Sequence, residues 1–104
     1  MNKVWIPRRS HHDFAEAEKW GELETLVPDS ISPFQVDRVE EHIKLAIPRA
    51  SEEDYVIPCG PPHYMVILTD LWPFPIMRLL IFHHKKKVYV DREVQLQCRL
   101  QARV

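Results

Sequence analysis

Apolar and polar positions along this chain change period several times, and each change marks an element. Val4, Trp5 and Ile6 make a short continuous apolar run inside Lys3–Pro7, the pattern of a buried strand. A polar loop, Arg8 to His12, follows it. Phe14, Ala15, Ala17 and Trp20 then fall at helical spacing. Asp13 stands as a cap with Glu16 three positions on, the spacing at which each side chain satisfies the other's free backbone N–H. Gly21 supplies a left-handed stop. Leu23–Val27 reads as a second strand, closed by the turn formers Pro28, Asp29 and Ser30.

Ser32-Pro33 opens a second helix, with serine as cap, proline in the first turn and Gln35 completing the box. Val36, Val39, Ile43 and Ala46 line one face of it, and Pro48 ends it. Asp54–Cys59 is a third strand, and Gly60-Pro61-Pro62 leads into a third helix. Met65, Val66, Leu68, Thr69 and Trp72 face the sheet from that helix, and Pro73 and Pro75 break the chain again. Met77–Phe82 is a fourth, nearly continuous apolar strand. His83–Lys87 forms a polar turn, and Val88-Tyr89-Val90 starts the return strand of a hairpin.

The order β-α-β-α-β-α-β-β implies crossover connections. The expected fold is therefore a three-layer α/β domain on a mainly parallel sheet, with a C-terminal antiparallel hairpin and a long last strand. From Val94 to Val104 apolar Val94, Leu96, Cys98, Leu100, Ala102 and Val104 alternate with polar residues. Period two predicts a strand with one apolar face. Its excess length offers Val94, Leu96, Cys98 and Leu100 as an interface for strand addition by a second copy or a partner protein. A frayed end and a short terminal helix are the alternatives.

Bulk properties narrow the classes. The 104 residues suit one domain, which buries about 65% of the surface its unfolded chain exposes. With 14 basic and 15 acidic residues the net charge is −1, so no global basic excess argues for nucleic acid. Two cysteines make no disulfide framework, and no apolar run reaches membrane-spanning length. These features predict a cytoplasmic protein without a membrane partner.

In parallel sheets ligands bind beyond the carboxyl ends of the strands, where helix N-termini also point. Arg8, Arg9, Ser10, His11 and His12 follow the first strand; Asp29, Ser30 and Ser32 follow the second. Cys59, Gly60 and His63 follow the third, and His83, His84 and Lys85 the fourth. An anionic ligand would therefore meet Arg8, Arg9, Ser10, His12, Gly60, His63, His83 and Lys85. His12 with Asp13, or Cys59 with His63, are the only candidate catalytic pairs. The position six residues after Cys59 is Met65, where a phosphatase loop needs arginine. Gly21 and Gly60 are the only glycines, which removes the Gly-rich nucleotide fingerprints. No cofactor and no metal site is expected. Lys85-Lys86-Lys87 is a basic hairpin tip that could touch a nucleic-acid backbone.

Taken together, Lys3-Val4-Trp5-Ile6, His12-Asp13-Phe14 and the run Ala17 to Leu23 resemble the opening of a group of small phage and mobile-element proteins. Glu53 to Gly60 and Arg78 to Phe82 are similar in place and character, so the likeness spans residues 3 to 90. The resemblance implies an accessory protein acting in the host cytoplasm and brings no catalytic residues with it. The expected function is a non-enzymatic binding module for a host protein or an anionic, nucleotide-type ligand. A small hydrolase or nuclease using the two candidate pairs is the runner-up, and a nucleic-acid backbone binder comes third.

Overall fold

A computed structural model describes residues 2–10 and 12–96 of the chain. Its five strands are β1 (Lys3–Ile6), β2 (Glu22–Thr25), β3 (Tyr55–Val56), β4 (Ile76–His83) and β5 (Val88–Gln95). They form one sheet in the order β2-β1-β3-β4-β5. Val4 lies beside Leu23 of β2 and Tyr55 of β3, and Tyr55 beside Arg78 of β4, all in parallel. The β4–β5 pair is antiparallel, from Ile76 opposite Gln95 to His83 opposite Val88. The expected mostly parallel α/β sheet with a C-terminal antiparallel pair is present.

Two α-helices, α1 (Val36–Ala46) and α2 (Pro62–Leu71), cover one face of the sheet. The chain moves from β2 past β1 to β3 and on to β4 in one direction, and right-handed crossovers place both helices on the same side. The β1-to-β2 connection runs the opposite way. It puts its 3-10 helix, Ala15–Trp20, on the other face. The alternation of side chains separates two cores. Trp5, Val56 and Met77 join Val39, Ile43, Tyr64 and Leu68 under the α-helices. Val4, Ile6, Ile57, Leu80 and Tyr89 meet Phe14 and Ala17 on the other side.

A buried carboxylate fastens the amino-terminal edge of this sheet. Asp54 is 2% exposed. It accepts hydrogen bonds from the Lys3 N–H (2.8 Å), the Trp5 indole N–H (2.9 Å) and the Ser51 N–H (2.9 Å). Two donors of β1 and one from the loop before β3 thus share one carboxylate, which satisfies groups that burial would otherwise penalise.

Several local expectations change. The first helix is a 3-10 turn rather than an α-helix; Asp13 Oδ1 accepts only the Ala15 N–H at 2.9 Å, and no side chain caps the N-terminus. Gly21 is extended (φ 159°) rather than left-handed. It is glycine because a Cβ there would stand 2.7 Å from the Asn2 carbonyl oxygen, which accepts the Glu22 N–H. Ser32 does not cap α1: its hydroxyl accepts the Phe34 N–H (3.2 Å) in a turn that precedes the helix. The helix starts later, at Val36, which stands half exposed in the first turn. The third strand shrinks to Tyr55–Val56 because Asp54 is engaged as the clamp and Pro58 lacks a donor. Val66 points to solvent; Tyr64 and Leu68 take the core-facing positions of α2. The last strand runs without a break to Gln95, and Leu96 turns into the helix-side core, its N–H on the Pro75 carbonyl (2.7 Å). The interface expected at Cys98 and Leu100 lies outside the described residues.

Candidate functional site

The carboxyl edge of the sheet carries two unlike arrangements, one on each face. On the helix side Arg8 is a staple. One Nη donates to the Ile31 carbonyl (2.9 Å) and the Tyr64 hydroxyl (3.4 Å), and the other to the Asp29 carbonyl (3.3 Å). Its Nε donates to the Ser10 hydroxyl (3.1 Å) and lies 3.9 Å from the Asp29 carboxylate. Ser10 adopts a positive φ of 48° and donates its N–H to Asp29 Oδ1 (3.3 Å). Gly60, at φ 80°, sits so close that a Cβ would meet Arg8 Cβ at 3.2 Å. The His63 ring nitrogen is 2.9 Å from the Pro33 carbonyl, and the ring meets Tyr64 edge-on. Arg8, Ser10, Gly60 and His63 are therefore brought to one side of the sheet, with the Arg8 guanidinium and the Ser10 N–H spent on the protein itself. Arg9 stands at the exposed rim, its Nε on the Thr25 hydroxyl (3.1 Å).

The opposite face is open at the same edge. The 3-10 helix covers only part of it, and a cleft of about 510 Å³ lies between the His12–Phe14 segment and the β4–β5 hairpin. Ile57, Leu80, Phe82, Phe14 and Tyr89 make its apolar wall. His12, Asp13, Cys59 and His84 bring polar groups to it. The aromatic rings are pre-packed: Phe82 meets Tyr89 and His84 edge-on, with centroids 5.1 and 5.3 Å away, and His12 meets Phe14 at 6.2 Å. Beyond His84 the chain turns through Lys85, Lys86 and Lys87, with Lys87 left-handed (φ 58°). His83 takes part in that turn instead of the cleft, accepting the Lys86 N–H on Nδ1 (3.2 Å). The three lysines are exposed and form no ion pair among the described residues.

The cleft joins His12, Asp13 and Cys59, whereas His63 is held on the helix side of the sheet. Cys59 and His63 therefore make no pair. Burial pushes the Cys59 thiol up, with a backbone hydrogen bond to Arg8 pulling the other way; the Sγ lies 3.4 Å from the Arg8 carbonyl oxygen. A thiol held protonated is a poor nucleophile at neutral pH. Tyr89 is raised too, first by burial and then by the nearby negative charges of Cys59 and Asp13. Among the described residues no three His, Cys, Asp or Glu side chains stand together as a metal site. None of the described helices is long and apolar enough to cross a membrane.

Reading strand ends alone misses the wall of this cleft. Leu80, Phe82 and Tyr89 look like any buried strand residues, and only the topology shows that no α-helix covers their face. Parity supplies the one available signal: Leu80 and Phe82 share a face opposite to Met77 and Leu79. The same parity separates His84 from His83.

Sheet, helices and cleft define a small mixed-sheet α/β protein whose open face carries a ring-lined cavity. A family model described as Phage Pam3 gp32-like protein matches residues 2–96, and the chain belongs to that family. No curated protein and no solved structure matches the chain.

Proposed function

We propose that this phage-family protein is a non-enzymatic accessory binding module of the host cytoplasm that holds a ring-bearing, anionic ligand of nucleotide type in the cleft. The observation that carries this reading is the cleft's place. It opens at the carboxyl edge, beside the β1/β3 boundary where the sheet's winding reverses, which is where α/β sheets take ligands. Its wall of Phe14, Phe82 and Tyr89 suits a planar ring. His12, Asp13 and His84 suit hydrogen bonds to ring substituents, and the lysine tip beyond His84 suits a charged group. The stapled Arg8 leaves the anion to that tip instead of to the helix side.

Thermal melts against mononucleotides, dinucleotides and cyclic nucleotides test the reading. A ligand at a hundredfold excess over its Kd adds about 2.7 kcal/mol to stability, a shift of several degrees. The shift is expected to vanish in Phe82→Ala and to persist in His63→Ala. No shift with any member at millimolar concentration, or a shift that survives Phe82→Ala, overturns the proposal.

A second reading, capture of a host protein, is favoured by Phe34. This ring is 93% exposed at the tip of the turn before α1, next to half-exposed Val36. Pull-down from host lysate with wild type and Phe34→Ala separates the two readings, since only protein capture depends on that ring.

A further inference from the structure

Asp13 is the one carboxylate among the described residues that line the cleft. The other polar groups there are of a different kind. The rings of His12 and His84 and the Tyr89 hydroxyl can each donate or accept, and the Cys59 thiol donates to the Arg8 carbonyl. A carboxylate only accepts. The Ala15 N–H, 2.9 Å from Oδ1, fixes the orientation of the Asp13 side chain and leaves its second oxygen without a hydrogen bond among the described residues. Asp13 is exposed and forms no ion pair among those residues. Burial first, and then the charges of Cys59 and Asp13, hold the Tyr89 hydroxyl protonated to higher pH, so the carboxylate stands within electrostatic reach of the aromatic wall.

Resting on the nucleotide reading of the cleft, we infer that the base it takes is guanine and that Asp13 selects it. Guanine alone among the common bases carries two neighbouring donors on one edge, its ring N–H and its exocyclic amine. A carboxylate meets such a pair with two parallel hydrogen bonds, as it meets a guanidinium. Adenine and cytosine present a donor beside an acceptor, and uracil a donor between two acceptors. Each would set a lone pair against the Asp13 carboxylate, which costs binding. Charge fixes the same orientation. The exposed Lys85, Lys86 and Lys87 belong to the hairpin wall, whereas Asp13 belongs to the wall that faces it. Asp91, exposed and opposite Leu80 in register, adds negative charge lower on the open face. A phosphate is drawn to the lysine tip and repelled from both carboxylates, which leaves the base edge to Asp13.

Calorimetric titration of the full chain with GMP, IMP, AMP and XMP, repeated on Asp13→Asn, tests the assignment. Asparagine keeps an oxygen for the Ala15 N–H, so the local turn survives the change. The wild type is expected to bind GMP about tenfold tighter than IMP, which lacks the exocyclic amine, and than AMP. Asp13→Asn should weaken GMP by about tenfold and place XMP ahead of it, because an amide offers one acceptor to the ring N–H of xanthine and one donor to the neighbouring carbonyl. A side chain that only shaped the turn would not reverse that order. GMP bound no tighter than IMP, or a base preference unchanged in Asp13→Asn, overturns the guanine assignment; nucleotide binding that Phe82→Ala still abolishes would then leave the cleft reading standing. No binding of any of the four overturns both.

Discussion

The two faces of this sheet have the same strands behind them and opposite fates. Under α1 and α2 the helices close over Trp5, Val56, Leu68 and Met77, and even the polar groups at the carboxyl edge are consumed by stitching. On the other face one 3-10 helix packs Val4 and Ile6 and stops short, which leaves Phe82, Cys59 and His84 around open space. Closure gives stability, and incomplete closure gives a site. Arg8, Ser10, Gly60 and His63, which look like ligand groups in the sequence, lie on the closed side, where Arg8 and His63 hold the molecule together, whereas His12 faces the open cleft.

Four substitutions or conditions sharpen this contrast. Leu68→Ala on the closed face should cost about 3 kcal/mol, because a fully buried leucine leaves a cavity that rigid neighbours cannot fill. Chemical denaturation measures it, and ligand binding at the cleft should survive. Gly60→Ala should cost about 1–2 kcal/mol, since a positive φ of 80° and a 3.2 Å approach to Arg8 both oppose a Cβ. Phe82→Ala on the open face should cost about 1–2 kcal/mol, because its ring is only partly buried, yet it should abolish the ligand-induced melting shift. Lys86→Ala should change stability by less than about 0.5 kcal/mol while weakening binding of a charged ligand in a salt-dependent way.

Alkaline pH probes the open face from another side. Cys59 and Tyr89 both have raised folded-state values, so the folded protein keeps their protons after the unfolded chain has lost them. Their contribution is complete below the ordinary thiol value of 9.0 and declines as pH rises above it. Unfolding midpoints should fall through this range, and less steeply in a Cys59→Ala, Tyr89→Phe variant. An unchanged slope would mean that the two groups are not desolvated at the cleft.

Much of the architecture is legible in residue patterns because long apolar runs and helical periodicity are local signals. Met77–Phe82 announces β4, and Val39, Ile43 and Ala46 announce the buried side of α1. What fails is set by distant partners. Gly21 is glycine because of the Asn2 carbonyl, and Tyr55–Val56 is short because Asp54 serves Lys3, Trp5 and Ser51. The same holds at the candidate site. His12, Asp13 and Cys59 are visible as chemistry-bearing residues, but their shared cleft depends on which face the 3-10 helix leaves bare. Arg8 and His63 carry equal promise in the sequence, and contacts from Ile31 and Pro33 commit them elsewhere.

The most direct measurement is a two-dimensional amide NMR titration of the full chain with the nucleotide that gives the largest melting shift. The account predicts that perturbed resonances cluster at His12, Asp13, Cys59, Leu80, Phe82, His84 and Tyr89, extend to Lys85–Lys87, and leave Tyr64 and Leu68 of α2 still. Perturbation centred on Arg8, Gly60 and His63 with the cleft unmoved would contradict it.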